Sequence, residues 1–441
     1  MDEEGIKSVT SEVLEKIKPQ KDMTDELSGV VSRILESVDR AASLLEVDAY
    51  GELVGSTARG TWRSGEKDID IFIMLPPSMS REELEEVGLS IAKNCISDFE
   101  ERYAEHPYIR ANFEGYDLDL VPAYNVDDAS KIKSAVDRTP FHNDYIKSRI
   151  KGLEDEVLLL KQFMSGARVY GAELKVQGFS GYLCELLVLK YGSFFGVLQG
   201  ASSWKSGQII NIEEIGAYDS KDPFVVIDPV DPNRNVAAAV SLESFSRFID
   251  ASRSFLDSPD PTYFFPKPSS KVSKKELKDQ LKERGTELIA IDFEIPDIIE
   301  DILFPQLYKS EKAIIRLIHR NDFRVLGSGV WAEDGRAIIL FEIEVGGLPN
   351  IKKVTGPPVT FEDRGRSFKE KHSPNPVFIE GGNYVARVPR EYTKITDLLK
   401  GELTSCSLGK NISEALKSCK ILKDDEVFSE ELGAFIKEFL R

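Results

Sequence analysis

Residues 67–75, KDIDIFIML, alternate strictly. Ile69, Ile71, Ile73 and Leu75 fall on one side of an extended chain; Asp68, Asp70, Phe72 and Met74 fall on the other. This period of two predicts a strand, closed by Pro76-Pro77. A second alternating run, YDLDLVPAY at 116–124, sets Leu118 and Leu120 against Asp117 and Asp119 and predicts another strand. Residues 24–46 repeat differently. Leu27, Val30, Val31, Ile34, Leu35 and Val38 make a helical stripe behind Thr24 as a cap. EVDAYGELVG holds a short strand, and residues 56–63 a short helix or turn after Gly55. Ser80 with Glu83 predicts a capping box for a helix reaching about residue 103.

From residue 152 to about 256 the pattern is mostly helical, broken at GFSGY and DPFVVIDPVDPNRN. The Pro-rich stretch SPDPTYFFPKPSS (258–270) predicts a boundary. Beyond it the pattern reads as strand 287–294, helix 298–320, strand 323–331, a turn at Glu333-Asp334-Gly335, strand 336–345, helix 361–371 and strand 384–388. That βαββαβ order predicts a ferredoxin-like unit, with later helices left unplaced. The expected fold class is α+β and multidomain: a mixed sheet with helices over 1–150, a helical domain over 151–257, and the ferredoxin-like region over 258–441.

A chain of 441 residues is too long for one ordinary core, which agrees with several domains. No apolar stretch approaches a membrane span, and the charged start MDEEGIKSVTSEVLEKIK lacks a signal-peptide core, so no membrane association and a cytoplasmic protein are expected. Cys95, Cys184, Cys406 and Cys419 show no CxxC spacing, and the four histidines are dispersed, which argues against a disulfide framework or a zinc site. The net charge of −18 taken alone argues against a polyanionic partner. Its distribution changes that picture. Lys131, Lys133, Arg138, Lys147, Arg149 and Lys151 face only Asp137 and Asp144 within 131–151, and residues 267–284 hold seven basic side chains against three acidic ones. Each cluster on its own reads as solvated surface.

Asp68 and Asp70 project from one strand face roughly 6–7 Å apart. Asp119 joins them if its strand pairs alongside. Three carboxylates so placed repel one another unless a cation neutralises them. Mg²⁺ takes oxygen ligands from a few carboxylates plus phosphates, and metal ions so held activate an attacking hydroxyl in phosphoryl displacement. An isolated D-x-D is commonly a solvent-facing strand edge. Gly55-Ser56 alters that reading, because a tight turn followed by backbone N–H groups and a hydroxyl holds a phosphate. Arg59 lies about one turn later. A phosphate cradle followed by an acidic strand is the order expected of a nucleotidyltransferase.

GSTARGTW…DIDIFIML followed by DLDLVPAY resembles the DNA polymerase β-like nucleotidyltransferase superfamily. RYAEHPY, IKSAVDRTPFH, RVYGAELKVQGFSGYLCELLVLKYGSF and DPVDPNRNVAA narrow the resemblance to the archaeal, class I, CCA-adding enzymes (tRNA nucleotidyltransferases). It is close over residues 50–250 and looser beyond.

The resemblance implies a catalytic domain over 1–150, a nucleotide and substrate domain over 151–257, and tRNA binding over 258–441. It makes Asp68, Asp70 and Asp119 the metal-binding, catalytic carboxylates for Mg²⁺, with Asp70 and Asp119 also orienting or deprotonating the RNA 3′-hydroxyl. Asp117 faces the same way without an assigned role. Gly55, Ser56 and Arg59 match the triphosphate-binding turn, and His142, Lys161 and Tyr170 match further nucleotide-binding positions. Taken singly, Lys161 reads as a helix lysine reaching for water, Tyr170 as core and His142 as surface. Arg234 is expected to help select the base, its plain alternative being a salt bridge to Asp228 or Asp231. Glu105 and His106 are expected near the tRNA end. The implied reaction adds C, C and A to tRNA from CTP and ATP without a template; a homodimer is left open. The basic clusters, with Arg364, Arg366, Lys369 and Lys371, are expected to face one groove for A-form RNA. Two rivals stand beside this reading: a poly(A) polymerase or another RNA nucleotidyltransferase, and a non-catalytic tRNA-binding protein, against which the three retained acids argue.

Overall fold

Two helices begin the first unit, and they serve different cores. In α1 (Glu3–Ile17), Ile6, Val13 and Ile17 are buried among the helices of residues 146–264. In α2 (Lys21–Leu44), the expected stripe of Leu27, Val30, Val31, Ile34 and Val38 is buried against a sheet. The helix starts before Thr24, whose hydroxyl donates to the Gln20 carbonyl from within the first turn instead of capping it.

The sheet begins with β1 (Tyr50–Val54), turns through the single-turn α3 (Gly55–Arg59), and returns antiparallel as β2 (Asp68–Leu75). The Ser80–Glu83 capping box forms at the start of α4 (Arg81–Cys95). This helix stops short of residue 103, because Ile96 is extended and the chain enters β3 (Glu100–Tyr103) and β4 (Pro107–Phe113). β3 reads EERY and is exposed throughout, so no apolar period announces it. β5 (Tyr116–Tyr124) then inserts beside β2, giving the order β1-β2-β5-β4-β3 with β2 and β5 parallel. Ile69, Ile71, Ile73 and Leu75 bury with Leu118 and Leu120 under α2 and α4. On the opposite face Phe72, Met74, Val54 and Ala123 form a small cluster, and the acids occupy the same face at the other end of the strands.

The helical part comprises α5 (Arg138–Lys147), α6 (Glu154–Gly166), α7 (Gly181–Tyr191), α8 (Phe194–Ser202), the short parallel pair β6 (Gln208–Ile210) and β7 (Phe224–Val226), and α9 (Leu242–Asp257). Its core is aromatic: Phe163, Phe179, Phe194, Phe224, Phe245, Phe248 and Phe255 are buried in mutual contact. Removing each ring from water contributes roughly 1.5–3 kcal/mol. Among the described residues no single helix is long and apolar enough to cross a membrane; α7 and α8 are apolar but bend 89° apart.

The computed structural model describes residues 3–103, 105–216, 218, 220–267 and 272–441. The chain divides into two compact units, Met1–Lys267 and Pro268–Arg441. The end of the Pro-rich stretch (268–270), Lys271 of the second basic cluster and Ala104 of RYAEHPY lie outside the described residues.

The second unit opens with α10 (Lys274–Arg284), capped by a Ser273–Glu276 box, and continues through β8 (Glu287–Glu294), α11 (Glu300–Arg320), β9 (Val325–Glu333) and β10 (Arg336–Ile343). The expected turn sits at Asp334 and Gly335, both at positive φ. The strand expected over 384–388 does not close this sheet. β11 (Ile351–Pro358), α12 (Glu362–His372), β12 (Val377–Glu380) and β13 (Asn383–Pro389) build a separate sheet of order β11-β13-β12. After α13 (Ile395–Glu402) and α14 (Ser413–Lys417), β14 (Lys420–Lys423) takes the free edge of β8, and α15 (Gly433–Phe439) follows. The first sheet is therefore antiparallel with order β14-β8-β10-β9, the ferredoxin-like arrangement completed by a later strand than expected. A hairpin through Gly381-Gly382 commits β13 to β12, while four-residue KILK is too short to show a period.

Candidate functional site

The parallel register of β2 and β5 sets Asp70 opposite Asp119 and Asp68 opposite Asp117. All four side chains share one sheet face. Burial raises the proton affinity of Asp68, Asp70 and Asp119. Asp70 is pushed up to about 6, first by burial, then by the charges of Asp119 and Asp68, with Arg59 and Arg110 pulling the other way. Oδ1 of Asp119 is buried and accepts no hydrogen bond.

Arg110, which no sequence motif marks, sits on β4 opposite Asp119. Its guanidinium lies 3.9 Å from Asp68, 3.9 Å from Asp117 and 3.8 Å from Asp119. Asp68, Asp70 and Asp119 share a face, but among the described residues no group of three or more His, Cys, Asp or Glu side chains is arranged to hold a metal ion. Asp68 is 65% exposed and turned toward Arg110. The Asp70–Asp119 pair nonetheless suits a hard divalent cation: its donors are all oxygen, one acceptor is buried without a partner, and the carboxylates are under-neutralised.

Gly55 stands at φ +77°, and a β-carbon there would overlap the Asp70 carboxylate. The turn can therefore approach the acids only as glycine. Among the described residues the Ser56 hydroxyl makes no hydrogen bond, while its carbonyl accepts from the Thr61 amide. Arg59 is fixed from behind: its Nε donates to Glu185 at 2.8 Å, and a terminal nitrogen reaches Asn143 at 3.5 Å. Glu185 is fully buried and also accepts from the Thr61 hydroxyl at 2.6 Å.

Lys161 does not reach for water. It is 1% exposed, donates to the Thr61 carbonyl at 2.7 Å, and has its proton affinity lowered by burial, with Glu185 opposing. The ammonium is enclosed in this state, so it is not presented as a surface phosphate ligand. Tyr170 is half-buried beneath the Arg63 guanidinium, 4.8 Å from its ring centroid. Both Lys161 and Tyr170 border Gly181 at the start of α7.

His142 and Arg234 meet at Asp228. His142 Nε2 lies 2.9 Å from one oxygen of Asp228, to which Arg234 also donates at 2.8 Å. Tyr182 donates to the other oxygen at 3.3 Å and stacks on the His142 ring at 4.2 Å. Burial alone would raise Asp228, but the hydrogen bonds from His142, the Val230 amide and Arg234 hold it down to about 2. Arg234 keeps 38% of its side chain exposed and Asp228 none. His106 is buried and faces Glu85 at 3.2 Å, while the Glu105 carbonyl accepts from Arg81.

Arg110, Glu185, Thr61, Asn143 and Tyr182 join the site without a motif in the sequence to mark them. Glu185 carried a readable signal, a lone acid inside the apolar helix GYLCELLVLKY. Much of the expected basic density is engaged internally: Arg138 with Asp231, Arg149 with Glu213, Lys274 and Lys278 with Asp425, and Arg284 with Glu342.

Three family models match the chain. One is described as a nucleotidyltransferase domain over residues 31–142, one as a tRNA nucleotidyltransferase second domain over 155–265, and one as a CCA-adding enzyme C-terminal domain over 284–424. The chain is 47% identical over 424 residues to a CCA-adding enzyme of Methanosarcina mazei, covering 94% of this chain and 93% of that relative. It is 39% identical over 440 residues to one of Methanothermobacter thermautotrophicus, covering 98% and 96%. A solved structure of the Cid1 poly(U) polymerase with Mg and 3′-dATP aligns over 59% of this chain and 96% of its own, at 15% identity and a TM-score of 0.46.

Proposed function

The chain belongs to the CCA-adding enzymes, and on that premise we propose that it builds and repairs the 3′-terminal CCA of tRNA from CTP and ATP, using the β2–β5 carboxylates. The observation that carries this reading is the register pair Asp70–Asp119, an under-neutralised oxygen site against the Gly55–Ser56 turn.

Asp70 and Asp119, joined by Asp68, would hold a divalent cation, Mg²⁺ by donor type; such a cation supplies charge neutralisation for the triphosphate and for the attacking oxygen. The RNA 3′-oxygen attacks the α-phosphorus in line, and pyrophosphate leaves. Asp70 and Asp119 orient the 3′-hydroxyl and draw its proton. The Ser56 hydroxyl and Arg59 hold the triphosphate. Glu185 keeps the Arg59 fork in place, so less orientational freedom is lost on binding. Lys161 contributes positive charge from beneath Thr61, and Tyr170 borders the same end of the pocket. Asp228 holds His142 and Arg234 together, and Arg234 presents its planar donors to the incoming base.

By this reading residues 1–150 carry the chemistry, residues 151–257 complete the nucleotide pocket, and residues 258–441 hold tRNA. The basic side chains left unpaired meet the RNA backbone. The test is incorporation on tRNA lacking its terminal A, with each nucleoside triphosphate singly and with or without Mg²⁺. One A added from ATP, only with divalent ion, supports the reading. ATP-only homopolymer growth marks a poly(A)-type activity instead.

A further inference from the structure

Arg110 makes three ion pairs of almost equal length, 3.8–3.9 Å, and no side-chain hydrogen bond among the described residues. Arg336, by contrast, forms two directed hydrogen bonds of 2.9 Å with Asp292 and reaches Glu431 only at 3.4 Å. Arg110 is shared, non-directional and one-third exposed. It is also the cation paired with Asp119, whose buried Oδ1 lacks a hydrogen bond. Arg102, the other arginine acting on Asp119, is tied to Glu100. Asp117 has no role in the reading above, yet it lies in register with Asp68, more than half exposed, and within Arg110's reach.

We propose that Arg110 is the resident counter-cation of the Asp68–Asp119 face and that it gives way to the divalent ion by withdrawing onto Asp117. The inference rests on the reading that these acids bind such an ion. Two unlike occupants of one acidic face compete: a divalent charge beside a guanidinium is repelled, and the carboxylates serve one or the other. Arg110 is thus a positioning residue. It keeps the acids compatible with the fold when no ion is bound, and it sets how tightly the ion is held. Asp117 is the acid that receives it.

Mn²⁺ binding to the nucleotide-free chain, followed by electron paramagnetic resonance, tests this without reference to turnover. Wild type binds Mn²⁺, and Asp70→Asn loses it; if wild type binds none, the underlying site reading fails, whatever Arg110 does. Given binding, Arg110→Gln holds Mn²⁺ at least about fivefold tighter, and Arg110→Lys stays near wild type. Asp117→Asn weakens binding in wild type and does so less in the Arg110→Gln background, because no guanidinium then needs a place. In chelator, Arg110→Gln melts below wild type at pH 8, and added Mn²⁺ restores it. A merely structural arginine would leave Mn²⁺ binding unchanged or weaker on removal, and either result overturns the proposal. Equal effects of Asp117→Asn in both backgrounds overturn it as well.

Discussion

Gly55 and Asp70 claim the same volume: a β-carbon on the glycine would overlap the aspartate's carboxylate, and the glycine backbone stands at φ +77°. Gly55→Ala therefore meets backbone strain and a clash together, a cost of about 1–3 kcal/mol. Urea unfolding is expected to register that loss. Single-nucleotide incorporation should fall further than stability alone explains, because relief of the clash moves Asp70.

Asp70→Asn keeps the shape and removes the charge. Incorporation is expected to drop by at least about a hundredfold, while retention of tRNA in a mobility-shift assay stays near wild type. Undiminished incorporation would remove Asp70 from the chemistry.

The raised proton affinity of Asp70 has a pH signature. Folded Asp70 keeps its proton up to about pH 6, against an ordinary value of 3.8. Between those values the folded chain holds more protons than the unfolded one, so in chelator stability falls as pH rises through that window, by about 3 kcal/mol at most. Asp70→Asn should flatten this part of the melting-temperature profile, and a saturating divalent ion should offset the fall in wild type.

Glu185 is fully buried, with Arg59 and Thr61 as partners and Lys161 close by. Glu185→Ala leaves buried cations without their acid, which costs about 3–5 kcal/mol. Chemical denaturation measures this. A KM for nucleotide that rises in the milder Glu185→Gln variant would report the loosened Arg59.

Asp228→Asn weakens charge-assisted bonds worth roughly 1.5–3 kcal/mol each, releasing His142 and Arg234 together. The ratio of kcat/KM for CTP and ATP on the matching tRNA ends is expected to shift, with little change on substrates already mismatched. An unaltered ratio would confine Asp228 to a structural part.

The strands that carry the acids were legible because alternation survives wherever one face is buried, as at Ile69 and Ile71. The polar strand Glu100–Tyr103 and the four-residue Lys420–Lys423 offered no such period, so the end of α4 and the closing strand of the second unit were misplaced. At the site, the acids, Ser56 and Arg59 stood close enough in sequence to be read as a group. Arg59 and Glu185 are 126 positions apart and His142 and Asp228 are 86, and only folding makes them neighbours. Arg110 is hidden for another reason: a single arginine in PYIRANF has no meaning until the register sets it opposite Asp119.

The order β14-β8-β10-β9 has a consequence for synthesis on the ribosome. β8, β9 and β10 emerge early, but the edge of β8 stays bare until the whole β11-β13-β12 sheet and two more helices have been translated. A nascent chain halted before Lys420 exposes an open, apolar ladder of the kind that recruits neighbouring chains. Shielding of that edge in the growing polypeptide therefore falls to chaperones, or to the speed with which the remaining residues arrive.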